Sequence, residues 1–252
     1  MSRIGEAFAR GKALITFLPA GDPSPARTGE FLTELARAGA DAIGIVLPVF
    51  EQGNRTPENG QGCIGPEEVF CLCRSFREKE KIPLVLMTAA AAVYSCGVRT
   101  FFQKCREAGI DGVILPGIAR EQEKELRTLA KKNGIDWIPA VSAAVQEEAA
   151  AAAAGAEGFV YLMSGGKEDG SRQENSAFSE TLQLIRQFTA VPVVIGFGIH
   201  TTDQATEAAR MSDGIAVGSV FANMIAKYGG HAAPHIYTYA RMMREAVRAS
   251  ER

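Results

Sequence analysis

The sequence predicts one (β/α)8 barrel domain, a TIM barrel of the α/β class, over residues 1–252. Short apolar segments alternate with longer amphipathic segments along the whole chain. Their spacing is about 30 residues, which is the size of one βα unit. Eight such units in a chain of 252 residues favour a closed barrel over an open doubly wound sheet. The sequence has no linker or low-complexity tract that would divide it into two domains.

The eight predicted strands are rich in Val, Ile, Leu and Ala, as expected of parallel strands covered on both faces. They are 13–20, 41–48, 83–88, 112–117, 136–141, 158–164, 191–197 and 213–219. The predicted helices are 25–38, 66–79, 98–108, 121–133, 145–154, 178–187, 203–210, 220–228 and 234–249. Gly39, Gly109 and Gly155 each stand between a helix and a strand, where we expect the left-handed conformation that ends a helix.

Composition excludes several classes of function. Hydrophobic residues make up 46% and charged residues 22%, which is typical of a soluble globular domain. The net charge of -2 predicts no basic surface for nucleic acid or an anionic membrane. There is no apolar run of about 18 residues and no secretory signal, so we expect a cytoplasmic protein. The five cysteines are expected to be reduced, and without metal-ligand spacing we predict no metal and no cofactor.

Glycines follow two neighbouring predicted strands. Gly196, Phe197 and Gly198 come after predicted strand 7, and Gly218 and Ser219 come after predicted strand 8. In this fold class these two loops and a helix N-terminus often bind an anion. Glycine lets backbone N–H groups approach phosphate oxygens, and a helix dipole adds positive potential. One such turn would only indicate chain reversal, but two adjacent ones favour a phosphate site.

The segment 164–170 after predicted strand 6 is rich in glycine and charge. This composition is typical of a mobile active-site lid. We expect Gly170 to reach the same phosphate.

Several motifs together resemble one family. They are Leu-Pro-Ala-Gly-Asp-Pro at 18–23, Tyr-Leu-Met-Ser at 161–164 and Gly-Phe-Gly-Ile at 196–199. The chain resembles the α subunit of tryptophan synthase along nearly its whole length. The resemblance implies an extra N-terminal helix ending at Phe8, and cleavage of indole-3-glycerol phosphate to indole and glyceraldehyde 3-phosphate. It also implies a β-subunit-like partner.

The resemblance weakens where the family carries out its chemistry. The glutamate that the family places inside strand 2 falls on Gly44, and the aspartate of the following loop falls near Arg55. The loop 49–65 is shorter than in the family, Thr88 replaces a tyrosine, and Gly117 replaces an aspartate. Because the reaction needs proton transfer by positioned groups, we expect activity to be weak, absent or changed.

Two carboxylates could substitute for the missing pair. Glu51 and Glu58 lie on the loop after predicted strand 2, although exposed loop charges are the commoner case. We place Asp22, Thr88 and Tyr161 in the substrate pocket.

Three functions remain open at this point. The first is a tryptophan synthase α chain with reduced lyase activity. The second is a different lyase or isomerase that acts on a small phosphorylated substrate. The third is a non-catalytic binder of a phosphometabolite that acts as an allosteric partner of a β-subunit-like protein. Fold alone does not separate them, because function depends on the site.

Overall fold

The structure is a computed structural model that describes residues 2–47, 64–163, 172–196 and 198–251. Its strands are β1 Ala13–Pro19, β2 Ala42–Val46, β3 Leu84–Met87, β4 Gly112–Ile114, β5 Asp136–Trp137, β6 Ala140–Ser142, β7 Val160–Met163, β8 Val193–Gly196 and β9 Gly214–Val217. Its helices are α1 Arg3–Ala7, α2 Pro25–Ala38, α3 Pro66–Arg77, α4 Ala90–Cys96, α5 Val98–Glu107, α6 Arg120–Lys132, α7 Gln146–Ala153, α8 Arg172–Phe188, α9 Thr202–Met211, α10 Ser219–Tyr228 and α11 Ala233–Ala249. A short 3-10 helix, Gly229–His231, joins the last two.

All strand pairs are parallel, and the strand order is β5-β4-β3-β2-β1-β9-β8-β7-β6. The predicted strand 136–141 is present as two segments, β5 and β6, because Pro139 between them has no N–H for the ladder. Ile138 N donates to Val113 O of β4 at 3.0 Å, and Tyr161 N of β7 donates to Pro139 O at 2.9 Å. The interrupted strand thus joins both edges and confirms the (β/α)8 barrel. Predicted strands 6, 7 and 8 correspond to β7, β8 and β9.

Two helical segments differ from the sequence prediction. Helix α4 was not predicted, because its seven residues are too few to show a helical periodicity. Helix α8 begins at Arg172, six residues before the predicted start at residue 178. The prediction began too late because the first residues of the helix are mostly polar and show no apolar periodicity.

The glycine caps follow the prediction at two junctions out of three. Gly39 and Gly109 have φ of 94° and 72°. Gly155 does not adopt a left-handed φ, so that prediction is wrong. A Cβ at Gly155 would lie 2.6 Å from Cζ of Arg127, because the guanidinium of that exposed side chain lies over the glycine.

Alternate strand residues form two separate cores. The outer core lies between the strands and the helices. The inner core fills the barrel and comprises Ile4, Ile15, Phe17, Ala42, Val85, Ile114, Ile138, Phe159, Tyr161, Val194 and Ala216. Helix α1 closes the inner core from below: a Cβ at Gly112 would lie 2.6 Å from Cδ1 of Ile4, and Phe8 packs on Phe159. The extra N-terminal helix is therefore confirmed.

Four carboxylates tie neighbouring strands together at the N-terminal end of the barrel. Each precedes a strand and accepts a hydrogen bond from an N–H near the start of the strand before it. The bonds run from Leu14 N to Asp41 Oδ2 (2.8 Å), Leu84 N to Asp111 Oδ2 (2.9 Å), Val193 N to Asp213 Oδ2 (2.9 Å) and Trp137 N to Glu157 Oε2 (3.5 Å). In each pair the N–H of the acidic residue donates back to the partner's carbonyl oxygen at 2.8 to 3.0 Å.

Each of these carboxylates also binds a cation. The ion pairs are Arg244–Asp41 (2.7 Å), Arg77–Asp111 (2.7 Å), Arg186–Asp213 (3.0 Å) and Lys131–Glu157 (3.2 Å). Burial distinguishes them: the Arg77 and Asp111 side chains are 15% and 10% exposed, whereas Lys131 and Glu157 are 76% and 28% exposed.

We expect Asp111→Asn to lower the free energy of unfolding by about 2 kcal/mol or more, because it leaves the poorly solvated Arg77 guanidinium without its counter-charge. Glu157→Gln is the matched control, and its solvent-exposed pair predicts a loss below about 1 kcal/mol. Urea denaturation at neutral pH measures both changes. Equal losses for the two variants would contradict the importance of burial at this end of the barrel.

Candidate ligand site

A cavity of about 240 Å³ opens at the C-terminal end of the barrel. Its floor is formed by Phe17, Val46, Met87 and Tyr161, which come from β1, β2, β3 and β7. These side chains point inward because they continue the alternation of the inner core. Barrels of this class bind ligands at this end of the strands.

One side of the cavity is made of glycine and serine. Gly198, Gly218 and Ser219 line it together. Gly218 is the N-cap of α10, and no side chain caps that helix start. Backbone N–H groups and the positive end of the helix dipole therefore lie beside the cavity. This arrangement can accept an anion.

The remaining residues of the predicted phosphate set lie elsewhere. Gly196 is behind the Tyr161 ring, since a Cβ at Gly196 would lie 2.6 Å from the Tyr161 hydroxyl oxygen. Phe197 and Gly170 lie outside the described residues. The structure thus brings three of the six predicted phosphate residues to the cavity wall and puts a fourth one behind it.

The Phe17 ring takes the space of a side chain at position 44. Phe17 and Gly44 are register partners across β1 and β2. A Cβ built on Gly44 would lie 2.8 Å from Cγ of Phe17 and closer still to Cδ1 and Cε1. The ring of Tyr161 lies next to that of Phe17, with centroids 5.7 Å apart and planes tilted by 45°.

The cavity is poor in groups that exchange protons. Among the described residues that line it, none has a carboxylate, an amine or an imidazole. Burial raises the pKa of Tyr161 to about 12, so its phenol is neutral at physiological pH. The hydroxyls of Tyr161 and Ser219 are the polar side-chain groups of this described lining.

The predicted pocket residues separate in the structure. Tyr161 lines the cavity, whereas Asp22 and Thr88 are not among its lining residues. The Thr88 hydroxyl is buried and donates to Leu47 O at 3.4 Å. Asp22 follows β1, and burial raises the pKa of its carboxyl.

The residue at the family's aspartate position and the two possible substitute carboxylates have no described position. Arg55, Glu51 and Glu58 lie outside the described residues. Sequence analysis did not identify the apolar floor residues Phe17, Val46 and Met87 as part of a site. Each stands near the end of a predicted strand, at a position whose side chain faces the barrel interior. The alternation of inward and outward side chains along these strands could have indicated them.

Metal sites and membrane spans are both absent from the described parts of the chain. These parts contain no group of three or more His, Cys, Asp or Glu residues arranged to hold a metal ion. Their helices include none that is long and apolar enough to cross a membrane.

The fold and the cavity at the end of its strands define a TIM barrel with an open cavity at its C-terminal mouth. The family model of the tryptophan synthase alpha chain matches residues 6–249, and the chain belongs to that family. It is 35% identical over 256 residues to the tryptophan synthase alpha chain of Lactiplantibacillus plantarum, covering 98% of this chain and 97% of that one. It is also 35% identical over 242 residues to the alpha chain of Carboxydothermus hydrogenoformans, covering 90% and 91%.

Solved structures agree with the fold. The tryptophan synthase alpha chain of Legionella pneumophila superposes with a TM-score of 0.85 at 24% identity, covering 98% of both chains. A mutant tryptophan synthase alpha-subunit from the hyperthermophile Pyrococcus furiosus superposes with a TM-score of 0.80 at 25% identity, covering 93% of this chain and 99% of that one.

We expect the affinity for glycerol 3-phosphate to rise as the ligand loses its second proton near pH 6, and then to stay level up to about pH 10. Ionisation of Tyr161 would place a negative charge beside the ligand and weaken binding. Since burial holds the pKa of that phenol at about 12, the weakening begins only above this range. Calorimetric titration of the parent and of Tyr161→Phe across this range measures the effect. If the affinity of the parent fell near pH 10 and Tyr161→Phe abolished that fall, the expectation that Tyr161 stays neutral up to this pH would be contradicted.

Proposed function

We propose that this chain binds a small phosphorylated ligand with an apolar group at the mouth of the barrel. We further propose that its cleavage of indole-3-glycerol phosphate is weak or absent. The observation that carries the proposal is the Phe17 ring, which fills the side-chain space of Gly44 inside the same cavity that Gly218 and Ser219 line. The anion-binding half of the site is retained, and the proton-transfer half is replaced by an aromatic ring.

The N-terminus of α10 supports the first part of the proposal, the binding of a phosphorylated ligand. A phosphate beside Gly198, Gly218 and Ser219 would accept backbone N–H bonds and interact favourably with the helix dipole. Gly170, Gly196 and Phe197 complete the proposed phosphate set. Ser219 adds a hydroxyl donor.

The apolar floor of the cavity supports the second part of the proposal, that cleavage of indole-3-glycerol phosphate is weak or absent. The family reaction delivers a proton to indole C3 and removes one from a hydroxyl of the glycerol chain, so it needs positioned acid and base groups. Gly44 has no proton to give, and Phe17 offers only a hydrocarbon surface. Loss of a general acid or base costs about 10²–10⁴ in rate. Glu51 or Glu58 would have to supply any remaining catalysis.

A non-catalytic role is the second candidate. The absence of carboxylate, amine and imidazole from the described lining residues favours it over a different lyase or isomerase, which would need such groups. In this role the chain binds a phosphometabolite in the cytoplasm. The ligand-bound and ligand-free forms of the chain would then bind a β-subunit-like protein with different affinities, and this difference couples the two proteins.

We expect indole release from indole-3-glycerol phosphate to be at least about 10²-fold slower than with the alpha chain of Lactiplantibacillus plantarum. The assay is run with and without a tryptophan synthase β subunit. Glu51→Gln and Glu58→Gln test whether any residual turnover depends on those carboxylates. Turnover by the parent at the rate of the relative would contradict the proposed loss of activity.

We expect glycerol 3-phosphate at about 100 times its Kd to stabilise the fold by about 3 kcal/mol, seen as a rise in Tm. Ser219→Ala should weaken this ligand through loss of one hydroxyl donor to a charged phosphate. Ser95→Ala removes a hydroxyl that bonds Ala92 O within α4, away from the cavity, and should leave the rise unchanged. No rise in Tm with glycerol 3-phosphate, beyond that with chloride at equal ionic strength, would refute the phosphate site.

A further inference from the structure

We propose that Tyr239 of the last helix, α11, is a positioning residue for the phosphate site, because it contacts both backbone segments that form the glycine-rich wall of the cavity. One contact reaches segment 198–201 after β8, and the other reaches the first turn of α10. Tyr239 itself is not among the residues that line the cavity. The inference rests on the proposed function, since it concerns the same phosphate site.

The hydroxyl of Tyr239 holds the segment that follows β8. It donates to His200 O at 3.2 Å. On the other side of this residue, His200 N donates to Oε1 of Gln204 in α9 at 2.9 Å. Gly198 and Ile199, the two residues before His200, line the cavity. The bond from Tyr239 therefore fixes the course of the chain directly after the residues that face the ligand.

The ring of Tyr239 packs against the start of α10. Its centroid lies 5.5 Å from that of Phe221, and the two planes stand at 87° in an edge-to-face contact. Phe221 is fully buried in the first turn of α10, where its N–H donates to Gly218 O at 2.9 Å. The ring thus holds the helix start, whose N–H groups and dipole lie beside the cavity.

A second aromatic contact joins the same two helices. Tyr228, the last residue of α10, stacks on His235 of α11 with ring centroids 3.9 Å apart and planes at 12°. His235 and Tyr239 are four residues apart and lie on one face of α11. Because α10 is held near both of its ends, its dipole keeps one direction relative to the cavity.

The chemistry of the phenol suits this role. Burial raises the pKa of Tyr239 to about 12, so its hydroxyl stays protonated and able to donate at physiological pH. Its two contacts use different parts of the side chain. They can therefore be removed separately, since phenylalanine keeps the ring and lacks only the hydroxyl.

The experiment measures glycerol 3-phosphate affinity by isothermal titration calorimetry, at a temperature where every variant is folded. Hydrogen exchange of the backbone amides is measured on the same variants without ligand. Tyr239→Phe removes the bond to His200 O, and Tyr239→Leu removes both contacts. Tyr237→Phe is the matched control, because it removes a hydroxyl from the same helix. Its ring packs on the Arg37 guanidinium, 5.7 Å from the centroid, and does not line the cavity.

We expect Tyr239→Phe to bind glycerol 3-phosphate about threefold more weakly than the parent, because fewer molecules hold segment 198–201 in the binding conformation. Tyr239→Leu also releases the start of α10 and should bind about tenfold more weakly. Amide exchange over residues 198–204 should be faster in Tyr239→Phe than in the parent. Tyr237→Phe should keep the affinity of the parent, because a loss of stability alone does not change the affinity of the folded molecules.

The outcomes separate this inference from the proposed function. If the parent binds and Tyr239→Phe binds equally well, the positioning role is overturned, whatever Tyr239→Leu does. An equal loss of affinity in Tyr237→Phe also overturns it, because general loosening of α11 would then explain the loss. If the parent does not bind glycerol 3-phosphate, the phosphate site itself is overturned, and exchange over residues 198–204 decides about Tyr239. Faster exchange in Tyr239→Phe then supports its hold on the segment, and unchanged exchange overturns it.

Discussion

Closure of the barrel depends on how neighbouring strands are joined at their N-terminal ends. Four carboxylates accept backbone N–H bonds from the strand before them and bind a cation from outside: Asp41, Asp111, Glu157 and Asp213. Each pair fixes the register of two strands, and in a parallel sheet a slip by one residue would exchange the inner and outer faces. The inner core can form only when this register holds. All four lie at the end opposite the cavity, so strand registration and the lining of the cavity use different residues.

The mouth of the barrel is governed by packing inside a narrow space. A Cβ at Gly44 would overlap the Phe17 ring, and one at Gly196 would overlap the Tyr161 ring, unless the rings moved. Such alternation of large and small residues is how barrel interiors reach close packing. The Phe17 ring therefore lies against Gly44 and presents an apolar surface to the cavity.

The barrel fold and part of the cavity wall could be predicted from the sequence. Continuous apolar strands at regular spacing gave the barrel, and glycines after two neighbouring strands gave three of the residues at the cavity wall. The prediction failed where side chains that are distant in sequence meet. Gly155 was expected to be left-handed but does not adopt a positive φ, and the Arg127 guanidinium lies over it. The pocket assignment of Asp22 and Thr88 stays a prediction, since the described cavity lining does not include them.

The sequence by itself determined the repeating alternation of strands and helices, apart from α4, and the membership of the tryptophan synthase alpha chain family. Local patterns suffice for these, because periodicity and motifs are properties of neighbouring residues. Only the tertiary structure decided that Pro139 divides a strand without opening the barrel, and that the Phe17 ring occupies the space above Gly44. Both depend on contacts across strands, where the available volume is set by the closed barrel as a whole.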